Sequence, residues 1–551
     1  METETICALL HSLAERMQRD EATKKRILLG HVSDKEFEAL DAAIRKLGGE
    51  PLVASGAQAV DGEIAPRLDL SCLNIDKPED PEILLCLDFG TAASKACATR
   101  DNDSKLLPLA IGRRAGQADL EYALISSLFI TKDERVLFGS NAVAVSMHEL
   151  DPDHERLDSL KDILCKEPKV DLDDALLGSN YNPTTIPFSK GDALVLYLAY
   201  LTDMATSELQ REYGCSRYVR RRYTLPILDQ ERWEWAEKQL KRALIRAQVV
   251  ADTLSGQWEQ GIGLAEARRV VRAVNNELKM RSDYEILLDR GVSEPIAAVG
   301  SRVRKYIATQ SRKALVAIAD VGAGTIDFGM FFRVEHPKKE SRYWEIPGSQ
   351  KVLRQAGNRI DDLLLEYILE QSAVRLPQHD YHRITASLRL DIRRLKERLF
   401  DDGSVDYTLQ NEKRGLITLG DFLASPGMEE LAKAIALKFE EMLISLDSSW
   451  FTETRISSVP IIFTGGGARL PMLTQLGGQR LIAGRTIDVI TAQSNPRWIT
   501  EEYPALTSEY PRMAVAIGGA SRELPYLATR TFAEFPGLNV DHVLDVVRKG
   551  V

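Results

Sequence analysis

An apolar run that ends in an aspartate and then turns through glycine and threonine occurs twice in this chain. The two copies are "ILLCLDFGTA" (83–92) and "LVAIADVGAGTIDFGMF" (315–331). A carboxylate at the end of a buried strand is costly unless a partner satisfies it, so both copies ask for one. A third run, "VPIIFTGGGARLPML" (459–473), joins an apolar strand to a glycine turn without the acid. No period of roughly 20–50 residues links the three, which excludes a solenoid. A duplicated pair of domains, each offering one Asp-Gly-Thr hairpin, fits the pattern.

At 551 residues the chain exceeds what a single core serves, so two or more domains are expected. Apolar content of 44% and charged content of 28% place it among soluble globular chains. A net charge of −10 argues against nucleic acid or an anionic membrane as the main partner. The local basic run "RYVRRRYTL", beginning at Arg217, reads as one solvated strand edge. The six cysteines, at 7, 72, 86, 97, 165 and 215, show neither a CxxC pair nor ligand spacing and read as reduced thiols of a cytoplasmic protein. The N-terminal apolar stretch is broken by His11, Glu15 and Arg16, and the runs "ALVLYLAYL" and "ALVAIA" are of core length, so no signal peptide or membrane span is expected. His379 and His382 lack further ligands nearby, which makes a metal there an unfavourable reading.

Residues 1–48 read as a helical pair. Ile6, Leu9, Leu10, Leu13 and Met17 fall on one helical face, and Ser33 with Glu36 forms a capping box before Phe37, Leu40, Ile44 and Leu47. Residues 49–80, rich in Gly, Ala, Asp and Pro, read as a linker. From 81 onward strands alternate with helices, the pattern of an α/β protein. Between Pro226 and Glu294 lies a helical segment near 250–285. It puts Val270, Val271, Val274 and Leu278 on one face beside Arg268, Arg269 and Arg272. That helix either packs on its own domain or forms a docking surface for a protein partner.

Glycines in a turn let successive backbone N–H groups approach a ligand, and such a row makes a concavity suited to phosphate. Carboxylates beside phosphate make sense when they hold a hydrated Mg²⁺ between themselves and the phosphates. Two opposed hairpins, Asp88-Gly90-Thr91 and Asp320-Gly322-Gly324-Thr325, could therefore clamp a triphosphate from both sides. Gly465-Gly466-Gly467, after a strand, offers a place for backbone to pass close to a base or ribose. The chain has no GxxxxGK[ST] sequence, which disfavours a P-loop enzyme.

"LDFGTAASKA", "ADVGAGTIDFGMF" and "FTGGGARLP" resemble the first phosphate, second phosphate and adenosine motifs of the actin-like ATPase superfamily. Within it the chain is most similar to the nucleotide-binding domain of the 70-kilodalton heat-shock chaperones. "RLDSLKDIL" (156–164) is similar to the segment bearing that family's catalytic lysine, which falls on Lys161. "VSEPIAAVG" (292–300) is similar to the first connecting motif, whose catalytic glutamate falls on Glu294. "AGNRIDDLL" (356–364) supplies Gly357 and Asp361, and "PRMAVAIGGA" (511–520) looks like the second connecting helix, whose small residues let two lobes hinge. The likeness spans roughly 81–525.

The resemblance implies a two-lobed actin-like fold of duplicated ribonuclease-H-like lobes behind a helical extension and linker at 1–80. Lobe I would cover 81–297 and lobe II 298–495. Residues 496–525 would return to lobe I, and 526–551 would form a tail with no peptide-binding domain. It also implies Mg-ATP and Mg-ADP as ligands, with Asp88 and Asp320 holding Mg²⁺ through water. Lys161, Glu294, Asp320 and Thr325 would be catalytic. Gly90, Thr91, Ala92, Lys95, Gly322, Ala323, Gly324, Gly357, Lys396, Gly465, Gly466, Gly467 and Arg469 would line the nucleotide. Asp327 belongs to the same second phosphate region. Ala92 replaces a second hydroxyl residue and Ala323 a glycine. Lys95 falls where actins carry a phosphate-contacting lysine, its other reading being a solvated strand lysine. Lys396 matches a ribose-contacting lysine, although Arg393 stands where the chaperones have a glutamate, and Arg469 matches the guanidinium that stacks on adenine. The activity implied is ATP hydrolysis driving a conformational switch on a protein partner or co-chaperone, met through 1–48 or 250–285. A nucleotide-sensing scaffold, a small-molecule kinase and a filament-forming protein of the same superfamily are the alternatives.

Overall fold

The computed structural model describes residues 17–19, 26–28 and 66–535, apart from 102–104, 113–120, 150, 280–286, 303–311, 336–340, 377, 379 and 455. Two mixed sheets organise the chain, which is of the α/β class. In the first sheet β1 (Ile83–Asp88), β2 (Ala93–Arg100), β3 (Lys105–Leu109), β4 (Arg220–Leu225) and β5 (Leu288–Ser293) lie in the order β5-β4-β1-β2-β3. The first three form an antiparallel meander, and β4 and β5 extend the sheet in parallel on the other side of β1.

The second sheet contains β6 (Arg312–Val321), β7 (Ile326–Glu335), β8 (Arg342–Glu345), β9 (Ser458–Thr464), β10 (Gly478–Ile482), β11 (Arg485–Thr491) and β12 (Tyr526–Leu527), ordered β10-β11-β9-β6-β7-β8-β12. Here β6, β7 and β8 form the antiparallel meander, and β9 and β11 extend it in parallel beyond β6. Strand order and direction therefore repeat between the sheets. β1 is buried along its whole length, as a continuous apolar run requires when both faces of a sheet are covered.

Helices α1 (Lys190–Tyr213), α2 (Gln230–Thr253) and α3 (Leu264–Lys279) share one core with the first sheet. A capping box of Ser189 and Asp192 starts α1, and Gly214 ends it at a φ of 66°, the left-handed conformation glycine permits. After the short α4 (Glu294–Gly300), helices α5 (Gly357–Gln371), α6 (Tyr381–Asp402) and α7 (Pro426–Ser445) pack on the second sheet. The last described helix, α8 (Tyr510–Gly519), is buried and packs against α4. A Cβ on Gly518 would lie 1.7 Å from the carbonyl oxygen of Ala297, and one on Gly300 would lie 2.7 Å from that of Gly518. Only glycine lets these two helices approach so closely.

Several expectations are corrected. Met17–Arg19 is a strand paired antiparallel with Arg26–Leu28, not part of a helix, because ladder hydrogen bonds take over where the apolar stripe ends. The rest of the expected helical pair lies outside the described residues. Residues 66–80 are not a free linker, since Leu68, Leu70, Leu73 and Ile75 pack on the first core. The basic run is not one solvated strand edge, although Arg220 within it is exposed. β4 lies between β1 and β5, and Arg221 and Arg222 are buried. The face of α3 bearing Val270, Val271 and Val274 is buried in its own core and does not offer a docking stripe.

Residues 526–535 are not a tail. β12 pairs in parallel with β8, and Phe532 and Phe535 pack against Phe332, Trp344 and Trp450. After 496 the chain packs on the first sheet, with Ile499, Met513 and Ile517 in one cluster with Cys97 and Leu106. The five described cysteines are buried and form no disulfide with one another, and no described helix is long and apolar enough to cross a membrane.

Candidate functional site

Each meander brings its aspartate to the same end of its sheet. Asp88 is the last residue of β1, and a hydrogen bond from Thr224 Oγ1 on the neighbouring parallel strand reaches its Oδ1 at 2.9 Å. Asp320, one residue from the end of β6, accepts from Thr464 Oγ1 on its own parallel neighbour at 2.8 Å. Both carboxylates are about 5% exposed. The turns then close back into β2 and β7. Lys95, directly opposite Asp88, brings Nζ to 3.6 Å from Asp88 Oδ2, so it is a site residue, not a solvated strand lysine. Opposite Asp320 stands a second acid, Asp327, fully buried, which accepts from the backbone N–H of Ile227 at 2.8 Å and from Thr325 Oγ1.

The two turns meet. A Cβ on Gly324 would lie 3.0 Å from Thr91 Oγ1, and Thr91, Gly324, Thr325, Lys161 and Ile227 line one cavity of about 10 Å³, room for about one water. Lys161 Nζ and Glu294 Oε1 form a buried ion pair here. Burial alone would lower the lysine's pKa. The neighbouring Glu294 carboxylate outweighs that and holds it above the ordinary range. Burial raises the carboxyls of Asp320 and Asp327, and the negative charge of Glu294 raises both further.

The second turn is held from behind. Asn358 N–H, at the start of α5, donates to Ala323 O at 2.7 Å, and Gly357 N–H donates to Gly322 O at 3.3 Å. A Cβ on Gly357 would stand 3.1 Å from Ala323 Cα. The third motif presses on the same turn: Gly467 N–H donates to Val321 O at 2.9 Å. Gly465 has a φ of 83°, and a Cβ there would lie 2.5 Å from Val321 O and 3.0 Å from Asp320 Oδ1. Gly466 faces open space. Arg469, which donates to Ser508 O at 3.2 Å, borders a polar cavity of about 590 Å³ with Gln493, Asn495, Arg497, Glu501 and Pro511. Gly465 joins the two places, because its N–H also donates to Pro511 O at 2.7 Å.

Thus the first and second turns, Lys161, Glu294 and the glycine triplet converge, as do the flanking Ala92 and Gly90. Lys396 sits one layer away, its Nζ 2.8 Å from Asp361 Oδ1 and 3.1 Å from Gly357 O, so the two residues carried over from the family's pattern pair with each other. Arg393 is half-buried on α6. Contacts also cross between the two halves. Arg156 donates to Leu390 O at 3.2 Å, Arg354 to Cys165 O at 3.2 Å and Asn358 to Ser159 Oγ at 3.4 Å.

Thr224, Thr464 and the Ile227 amide were missed in the sequence. The "TLP" that ends β4 and the threonine directly before the glycine triplet were the available signals. Among the described residues no group of three or more His, Cys, Asp or Glu is placed to hold a metal ion directly. No protein-family model matches the chain, and no similar curated protein is found.

Proposed function

We propose that this chain binds and hydrolyses Mg-ATP in the manner of the actin-like ATPases, nearest in pattern to the heat-shock-70 nucleotide-binding domain, and serves as a nucleotide-driven switch on a protein partner. The observation that carries the reading is the repeated meander. Two acid-ended hairpins face each other across the Lys161–Glu294 pair, at the foot of two helices that cross through glycines. The two sheets are read as the two lobes, with α4 and α8 as their hinge.

A divalent cation suits the charge balance. Asp88, Glu294, Asp320 and Asp327 interact with one another in this buried space, where Lys95 and Lys161 oppose them. Asp88 and Asp320 would hold Mg²⁺ through water. Bound there, Mg²⁺ supplies positive charge to the β- and γ-phosphates. Backbone N–H groups of both turns hold phosphate oxygens, and Thr91 and Thr325 hydroxyls stand at the turn ends. Lys161 Nζ places positive charge beside the transferred group. The carboxylate of Glu294 orients the attacking water and accepts its hydrogen bond. The nucleoside end follows the glycine triplet towards the cavity bordered by Arg469. Entry of a triphosphate requires the turns to part, since they touch at Thr91 and Gly324.

A nucleotide sensor with little turnover is the second reading. It is favoured by the buried ion pair between Lys161 and Glu294, in which each side chain already has the other as a partner. Single-turnover hydrolysis beside a direct binding titration separates the two readings. For an ATPase, Lys161→Ala and Glu294→Ala lower the rate by about a hundredfold or more with little change in affinity. Binding with negligible wild-type hydrolysis selects the sensor, and no binding at millimolar nucleotide rejects both.

A further inference from the structure

One guanidinium of the basic run lies where strand, helix and site come together. Arg222 is buried on β4, two residues before Thr224, so both side chains leave the same face of the sheet. Its Nη1 donates to the carbonyl oxygens of Gly519 at 2.9 Å and Ser521 at 2.6 Å, and its Nη2 donates to Asp289 Oδ2 on β5 at 2.9 Å. Those carbonyls are at the C-terminal end of α8, where unsatisfied acceptors and the negative end of the helix dipole favour a cation.

That end of α8 rests directly on the strands that carry the site. A Cβ on Gly519 would lie 2.3 Å from Cys86 Sγ and 3.5 Å from Thr224 Cγ2. Thr224 in turn donates to Asp88. One residue earlier, Gly518 makes the close crossing with α4, and α4 begins at Glu294. Arg222 therefore touches a place from which both the Thr224–Asp88 pair and the helix bearing Glu294 are reached. Thr99 Oγ1 also donates to Ala520 O, but it holds no carboxylate and reaches a single acceptor.

We propose that Arg222 is a positioning residue. It clamps the C-terminal end of α8 to β4, so that the Asp88 hairpin and Glu294 are set by one contact instead of moving independently. The mechanical part stands on the contacts alone, and its effect on rate rests on the nucleotide hydrolysis proposed above. Lysine at this position can reach one carbonyl but cannot fork between two acceptors and a carboxylate, and leucine reaches none.

The test compares wild type, Arg222→Lys and Arg222→Leu by amide hydrogen exchange and by single-turnover hydrolysis across Mg²⁺ concentrations. In Arg222→Leu, protection falls together in three segments: the α8 end (513–521), the Asp88 hairpin (84–92) and α4 (294–300). Arg222→Lys shows the same pattern to a smaller degree, and it carries the test alone if the leucine variant fails to fold. The hydrolysis rate falls about two- to thirtyfold, and more Mg²⁺ is needed to reach half of it, at nearly unchanged nucleotide affinity. Faster exchange confined to 513–521, with rate and Mg²⁺ dependence unmoved, makes Arg222 a simple helix cap and overturns the proposal. If wild type hydrolyses nothing yet exchange still spreads to the hairpin and α4, the clamp stands and the ATPase reading falls.

Discussion

The two hairpins share a backbone and differ in charge. In each, an aspartate at the strand end accepts from a threonine on the next parallel strand. Across the ladder from Asp88 stands Lys95, whereas across from Asp320 stands Asp327. The first hairpin thus carries its own counter-charge. The second gathers two acids in a buried space and depends on something outside itself to neutralise them. The comparison teaches that a repeated fold can change its charge by one residue in register: one strand-end acid faces a lysine, and the other faces a second acid.

The largest effect that tests this comparison is steric. A Cβ on Gly90 would lie 2.1 Å from the backbone oxygen of Ala93, while one on Gly324 meets side-chain atoms, Thr91 Oγ1 at 3.0 Å and Asp162 Oδ1 at 3.7 Å. Gly90→Ala should cost about 3 kcal/mol and Gly324→Ala about 1 kcal/mol or less, read from chemical denaturation midpoints. Equal costs would mean that the two turns are not differently built.

Next comes the hydroxyl that each acid accepts. Thr224→Val removes the donor to the Asp88 carboxylate, which also lies 3.6 Å from Lys95 Nζ, and should lose about 2 kcal/mol. Thr464→Val should lose clearly less, because Asp320 can take up a proton when its donor is gone. A larger loss in Thr464→Val contradicts the charge assignment.

A smaller effect appears with pH. In the metal-free chain, burial and then Glu294 raise Asp320 to about 7 and Asp327 to about 8, well above their unfolded values near 3.8. Between those limits the folded state holds protons that the unfolded chain has released, so stability is greatest on the acid side and falls as pH rises through the window. Asp327→Asn should flatten the fall in melting temperature between pH 5 and pH 8. A wild-type profile no steeper than that of the variant would refute the shared-acid description.

Much of this arrangement was legible in the sequence, and what was hidden had physical reasons. Asp88 and Asp320 stood out because a carboxylate interrupts an apolar run just before glycine, a local conflict that only a site resolves. Lys161 and Glu294 were found as members of an ordered set of segments. Thr224 and Thr464 carry no such contrast, since a threonine in a strand is ordinary. The burial of Arg221 and Arg222 was invisible because their surroundings come from distant segments. The carbonyls that Arg222 satisfies lie 297 and 299 residues away in the chain. The docking of Phe532 and Phe535 was equally hidden, for two aromatics in a short irregular stretch give no period to read.

The central claim is that the second hairpin's surplus of acid awaits a divalent cation carried with phosphate. It is tested most directly by thermal unfolding at pH 8 with Mg-ATP, with ATP and chelator, and with Mg²⁺ alone. The account predicts a rise in melting temperature for Mg-ATP that grows with concentration and corresponds to about 2.7 kcal/mol at a hundredfold excess over Kd. The rise should be much smaller when either component is missing, and Asp320→Asn should reduce it. No shift at millimolar Mg-ATP, or an equal shift with ATP and chelator, would contradict the claim.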